Sequence, residues 1–310
     1  MSADELEHLV ARIPTGWSRV QVGRVPYGLT RVDHADERSI SVHAEQLGGA
    51  DVVSTNVWRT SAGTVLRPCE MPEAKVMAFL RGWEPAAPIG EPVPGWTPRA
   101  RPGGDMVGRT CRVEPLTETH VGALHTALDV ESPAALWTYY PAGPFATPAD
   151  LGRWLASKTA DPATAAHIIA TPDGVPLGLA CFLRIDQANG SVEVGNIVLA
   201  ASLQRTTAAT EAMYLMLRHA FDLGYRRYEW KCDSLNAPSR RAADRLGFTY
   251  EGTFRQAVVY RDRNRDTAWY SITDGEWPGI RAEMERWLDP TNFGSDGAQL
   301  TRLQTRAAAG

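Results

Sequence analysis

Six of the chain's 21 prolines fall between residues 85 and 102. Proline lacks an N–H and fixes φ, so a run spaced this closely admits neither a helix interior nor a central strand. Glycines at 90, 95, 103, 104 and 108 prolong the interruption. The stretch 85–107 therefore reads as a linker, and the rest must fold on one side of it or the other. That places a small domain over 1–84, a larger one over 108–290 and a tail over 291–310, and 310 residues with 44% hydrophobic content suffice for two cores. Trp96 stands apart within the linker, because a large aromatic in a tether implies docking on a neighbouring domain.

Before the linker, residues 4–13 have the pattern of a helix. Alternating segments follow at 17–22, 27–32, 38–44, 51–58 and 64–66, and residues 72–80 read as a closing helix. This is a small α+β domain. Its Asp33, His34, His43 and Glu45 fit a solvated sheet face, and no chemistry is assigned to them.

The formal net charge of −4, with arginines dispersed along the chain, gives no general pull toward nucleic acid or anionic membrane. The expected partner is a small molecule or a protein, with a homodimer left open. Cys69, Cys111, Cys181 and Cys232 lack paired metal or redox spacing and read as reduced core thiols, so no metal is expected. The first residues are acidic without an apolar leader segment, and no run approaches the roughly 20 apolar residues of a membrane span. A cytoplasmic protein is the expectation.

After the linker, a strand fits 109–116 and helices fit 118–130 and 148–160, the second opened by Thr147 as cap and Pro148 in the first turn. Strands at 165–170, 177–186 and 191–199 lead to a helix at 207–223. A strand at 226–232, a helix at 237–246 and strands at 249–260 and 266–273 complete one mixed α/β sheet flanked by helices. The junction from Ile197 to Met216 is the most informative stretch, running from apolar strand through a polar turn into an amphipathic helix. A helix start exposes unpaired N–H groups at the positive end of its dipole, a natural seat for phosphate. Glycine is required there only for positive φ or crowding by the ligand. Taken alone, the stretch reads rather as a capped helix without ligand.

Placed in order with its neighbours, the junction resembles the GCN5-related N-acetyltransferase family, in which a Gln/Arg-x-x-Gly-x-Gly/Ala loop binds the pyrophosphate of acetyl-CoA. Gln204, Arg205, Thr206, Thr207, Ala208 and Ala209 occupy that loop, with Thr207 and Ala209 at the two small-residue positions. Gly108 to Leu116, Glu193-Val-Gly195, Thr210-Glu-Ala212, Asn236-Ala-Pro-Ser239 and Leu246 to Gly252 are similar to the ribosomal-protein N-terminal acetyltransferase (RimJ/RimL) type. The resemblance covers about residues 108–290 and implies a mixed sheet domain of that family's fold, with acetyl-CoA as co-substrate.

It also implies a direct attack of an amine on the thioester. An alkylammonium with a pKa of about 10 must first lose a proton, so a base is useful. Glu193 matches the family's strand glutamate and is expected to be that base; without the resemblance it is an outward residue of an alternating strand. The family's tyrosine acid falls on Ala243, which cannot donate, and Ser239 matches the serine offered instead, although it also suits a helix cap. Asn236 is expected to cap that helix and contact the cofactor. The main chains of Val198 and Leu199 are expected to pair with pantetheine. On the acceptor side, Trp137, Tyr139, Tyr140 and Phe145, with Asp233 at a strand end, are the candidates for substrate binding. The implied acceptor is a protein N-terminus or a small amine. The alternative is a non-catalytic acyl-CoA-binding or protein-interaction module.

Overall fold

The computed structural model describes residues 3–34, 38–61, 63–86 and 92–305. The chain divides into two compact units, Met1–Gly95 and Trp96–Gly310.

The first unit contains α1 (Ala3–Ala11), β1 (Gly16–Val22), β2 (Val25–His34), β3 (Ser39–Gln46), β4 (Val52–Thr60), β5 (Gly63–Pro68), α2 (Glu73–Gly82) and β6 (Trp83–Pro85). Its antiparallel sheet has the order β5-β4-β3-β2-β1-β6. Alternation puts Leu29, Ile40, Val42, Ala44, Val53 and Val57 on one face, where they pack with Leu6, Val10, Val76 and Leu80 of the two helices. Arg31 is buried among them. Its Nη1 donates to the carbonyls of Val10 (3.2 Å) and Ile13 (3.0 Å), satisfying groups left over at the end of α1, while Nε meets Asp33 at 2.7 Å. The remaining polar residues pair locally, His34 with Ser41 and His43 with Glu45.

The second unit contains β7 (Met106–Val107), β8 (Arg112–Pro115), α3 (Val121–His125), α4 (Pro148–Thr159), β9 (Ala165–Ala170), β10 (Pro176–Asp186), β11 (Ser191–Leu199), α5 (Thr207–Asp222), β12 (Arg227–Asp233), α6 (Ala237–Arg245), β13 (Thr249–Tyr260), β14 (Arg263–Thr273) and α7 (Trp277–Leu288). The eight-stranded sheet runs β13-β14-β12-β11-β10-β9-β8-β7 and is antiparallel except for β11 beside β12. Such a parallel pair needs a crossover, which α5 supplies. One face packs on α5, α6 and α7 through Val192, Val194, Met216, Tyr228 and Trp230. The other packs on α3 and α4 through Leu124, Leu151, Ile168 and Val198.

Where a strand over 109–116 was expected, the chain makes a short hairpin, Met106 opposite Val113 and Val107 opposite Arg112. Two residues between Gly104 and Gly108 are too short a run for strand periodicity to show. Trp96 docks on the turn after β10, its Nε1 donating to Ala188 O at 2.7 Å with Arg99 over the ring at 4.1 Å. Glu211 of α5 ties the Gly108–Thr110 segment to that helix. Its carboxylate accepts from the N–H groups of Arg109 (2.8 Å) and Thr110 (2.6 Å), and a Cβ on Gly108 would lie 2.6 Å from Glu211 Cδ.

The feature that positions the site is a split in the sheet. β11 and β12 share register only from Ser191–Arg227 to Val194–Trp230. Beyond that β11 continues against β10 as far as Leu199, and β12 continues against β14 as far as Asp233. A bulge accompanies the divergence: between the pairs Cys181–Gly195 and Leu179–Val198 β11 carries one extra residue, with Asn196 at φ 48°. Bulges bend the strand that holds them, and Asn is among the residues that tolerate a left-handed φ.

Candidate active site

α5 starts at the open end of β11. Thr206 is its cap, Oγ1 accepting from Ala209 N at 3.1 Å while its own hydroxyl donates to Leu203 O at 2.7 Å. The N–H groups of Thr207 and Ala208 belong to the first helical turn and have no acceptor within the helix. Thr207 and Ala209 both have helical φ, so neither position requires glycine. The positive φ of the turn falls on Arg205 instead, at 60°. The side chain of Gln204 turns back to donate to Leu199 O at 2.8 Å. The loop therefore presents main-chain donors, a helix dipole and the exposed Arg205, a donor set that fits a phosphate group.

The strand alternation divides the main-chain candidates. Ala200 N donates to Leu177 O at 2.9 Å, and the carbonyl of Val198 is within 3.0 Å of a Cβ built on Gly178, so Val198 turns to β10. Ile197 and Leu199 turn the other way. Ile197 O accepts from Tyr140 Oη and Leu199 O from Gln204. Ile197, absent from the sequence expectation, thus faces the split where Val198 was expected to, because period-two alternation and the bulge decide which carbonyls do so.

Glu193 stands where the split begins, opposite Leu183 of β10 and Glu229 of β12. Its side chain is 8% exposed and contacts the Arg184 guanidinium and Lys231 Nζ, the latter at 3.2 Å. Lys231 is itself buried, bridges to Glu229 at 3.2 Å and lies 3.5 Å from the centre of the Trp269 ring. Burial pushes the Glu193 carboxyl up to about 7; Arg184 opposes the rise and Glu229 adds to it. A Cβ on Gly195 would come within 2.6 Å of Leu183 Cδ1 and 3.1 Å of Glu193 Oε1, so the glycine two residues on leaves this carboxylate its space. Arg184, Lys231 and Trp269 were missed from sequence: nothing in their spacing from Glu193 shows that three strands bring them together.

On the opposite face of β12, Trp230 Nε1 donates to Ser239 Oγ at 3.0 Å. Ser239 N donates to Asn236 Oδ1 at 3.1 Å, which makes Asn236 the cap of α6. Lys231 and Trp230 are consecutive, so Glu193 and Ser239 reach β12 from its two sides. Ala243 is fully buried. Burial pushes the Cys111 and Cys181 thiols up to about 12, unsuited to nucleophilic attack. Cys69, expected in a core, is only partly buried beside Asn56 Nδ2 at 3.6 Å.

The aromatic candidates separate by burial. Trp137 is 1% exposed and centres an edge-to-face cluster with Tyr140, Phe145 and Trp154, with ring centroids 5.1 to 5.9 Å away. It is core, since an indole enclosed by three rings has no surface left for a ligand. Phe145 is tied into the same packing by its main chain, N to Asp129 Oδ1 at 2.9 Å and O to His125 Nε2 at 3.0 Å. Tyr139 and Tyr140 hold the segment over the split through Leu235 O (3.0 Å) and Ile197 O. Asp233 is buried and its oxygens accept from Leu235 N and Tyr260 Oη, both at 2.9 Å. Arg261, at the tip of the β13–β14 hairpin, donates to Ala142 O (3.0 Å) and Gly143 O (2.6 Å), closing the same mouth.

Comparison with known proteins places this domain. Residues 111–249 match the acetyltransferase (GNAT) domain. The solved structure of a GCN5-related N-acetyltransferase from Brucella melitensis is 42% identical, matched over 68% of this chain and 98% of that one, with a TM-score of 0.66. The chain belongs to the GCN5-related N-acetyltransferase family.

Within that family, a GNAT-family structure from Chromobacterium violaceum is 39% identical, covering 63% of this chain and 99% of its own, with a TM-score of 0.58. A Bacillus subtilis protein, YdaF, whose name assigns it provisionally to the ribosomal N-acetyltransferases, is 28% identical over 108 residues, 34% of this chain. The match spans 58% of that relative's length. RimL, a ribosomal L7/L12 N-terminal acetyltransferase, shares the fold at 22% identity and a TM-score of 0.50. Among the described residues no helix is long and apolar enough to cross a membrane.

Proposed function

We propose that this acetyltransferase moves the acetyl group of acetyl-CoA to a primary amine by direct attack in a ternary complex, with Glu193 as general base. The observation that supports the reading most is the Glu193 carboxyl itself: it is buried at the root of the split and raised to about 7, where a base is half ionised near neutral pH. Acetyl-CoA supplies the activated acyl group. Thr207 and Ala208 N–H, Arg205 and the α5 dipole hold its phosphates, and the main chains of Ile197 and Leu199 offer carbonyls to its amides once Tyr140 and Gln204 yield them. Asn236 Nδ2 adds a polar contact from the entrance of α6.

Glu193 takes the proton of the incoming ammonium, its carboxylate held in one orientation by Lys231 and Arg184. Ser239 gives a proton to the departing thiolate. Its Oγ accepts from Trp230 and also bonds with the Cys232 thiol, a contact it would leave to reach the departing sulfur. Tyr139, Asp233 and Tyr260 line the acceptor side. The acceptor is a protein N-terminus, in line with the ribosomal N-acetyltransferase name of the B. subtilis relative, or a small amine.

Calorimetry with acetyl-CoA followed by an amine panel read by CoA release tests this directly. Micromolar binding with amine-dependent thiol release is the expected result. Binding without release from any amine would leave a non-catalytic acyl-CoA module, and no binding would remove both readings.

A further inference from the structure

Among the described residues, one cation on the acceptor side of the split forms no ion pair with a carboxylate. Arg265 faces Val258 across the β13–β14 hairpin and lies two residues beyond Thr267, the last residue of β14 paired with β12. Residues 265, 267 and 269 alternate onto one face of the sheet, the face that carries Lys231 and Asp233, the β12 partners of Trp269 and Thr267. The guanidinium lies 6.0 Å from the centre of the Tyr260 ring, and its Nε is shut off from solvent without an acceptor. Its charge reaches Glu193, Tyr140 and Tyr260.

Among the described residues, the carboxylates nearby are engaged with other groups. Glu193 meets Arg184 and Lys231, Glu229 meets Lys231 and Arg227, and Asp233 meets Leu235 N and Tyr260. Asp266, next in sequence, points to the other side and accepts from Gln256 N and Asn264 Nδ2. Three cations, Arg184, Lys231 and Arg265, thus lie around the base with three carboxylates, Glu193, a Glu229 shared with Arg227, and Asp233, which neutral donors hold. An amine that also carries a carboxylate would give the planar fork of Arg265 the acceptor it lacks.

We propose that Arg265 binds an anionic group on the acceptor, so that the substrates are amines bearing a carboxylate close to the reacting nitrogen. This rests on the acetyl-transfer reading above. The carboxylate comes either from a free amino acid or from an acidic residue next to a peptide N-terminus, and both sources share this recognition.

The test uses the whole protein, wild type and Arg265→Gln, with matched acceptors: phenylalanine against phenylalaninamide, and short peptides with Asp against Asn at the second position. CoA release gives kcat/KM. Calorimetry of the N-acetylated products with CoA present gives binding without turnover. Wild type should favour the carboxylate member of at least one pair by about 10- to 100-fold, the worth of a hydrogen-bonded charge. Whichever pair shows the preference identifies the source. Arg265→Gln should bring the two members within about twofold, and Arg265→Lys should keep part of the preference. No carboxylate preference in wild type, or one that survives Arg265→Gln, overturns the proposal. If the acid products bind better than the neutral ones through Arg265 but no acceptor releases CoA, the anion site stands and the acetyl-transfer reading falls.

Discussion

Replacing Glu193 by Gln should stabilise the protein, and more so as pH rises. The carboxyl is raised by burial from 4.5 to about 7, so its protonated form suits the fold better than its ionised form. A carboxyl shifted upward makes its full contribution below the unfolded value and loses it as pH climbs through the folded one. The window is therefore pH 4.5 to 7. At about 1.36 kcal/mol per pH unit, the loss amounts to ~3 kcal/mol by pH 8, and only about a quarter of it has occurred at pH 5. Gln keeps the shape of the neutral form at every pH and suffers no such loss. With about 2–4 °C per kcal/mol for a domain of this size, the Tm advantage of Glu193→Gln should widen by about 5–10 °C between pH 5 and pH 8. Thermal melts of both proteins followed by tryptophan fluorescence measure it, and taking the difference cancels the other titrating groups. A difference independent of pH, or one that narrows as pH rises, would show that Arg184 and Lys231 outweigh burial and hold the group ionised. The base assignment would then lose its physical support.

Four further substitutions probe the base, the Gly108 turn and the start of α5. Arg184→Ala removes the cation that opposes the upward shift, so the acid limb of kcat/KM should move above pH 7, with activity lost at pH 6.5 and recovered at pH 9. Gly108→Ala places a Cβ 2.6 Å from Glu211 Cδ and should cost about 1–3 kcal/mol in urea unfolding as the Arg109 and Thr110 N–H bonds are displaced. Thr207→Gly should leave acetyl-CoA affinity by calorimetry within a few-fold if main-chain donors hold the phosphates, whereas Thr206→Ala, which uncaps α5, should cost about 1 kcal/mol of stability. A large loss of affinity in Thr207→Gly would instead make that hydroxyl a ligand.

Elements with a clear period were legible in the sequence: the helix capped by Thr147 and the strand leading to the Gln204–Ala209 turn stand where their patterns put them. Glu193 was legible through its place before that turn. What surrounds it was not, because Arg184, Lys231 and Trp269 lie on three different strands and meet only through register. Trp137 shows a different failure. Aromatics in a turn-rich segment look the same in sequence whether they line a mouth or fill a core, and only burial distinguishes them. Backbone geometry explains why the loop needs no glycine at Thr207, since the left-handed residue is Arg205. The assignment of Val198 shifted to Ile197 for an equally local reason, a one-residue bulge that changes which side each group faces.

The central claim is that Glu193 is the base of an amine acetyltransferase. It is tested most directly by the pH dependence of kcat/KM for amine-dependent CoA release in wild type and Glu193→Gln, with acetyl-CoA binding checked in both by calorimetry. The account predicts a wild-type limb near pH 7, a rate about 10²- to 10⁴-fold lower in Glu193→Gln with that limb gone, and unchanged cofactor affinity. A variant that keeps both the rate and the limb would contradict it.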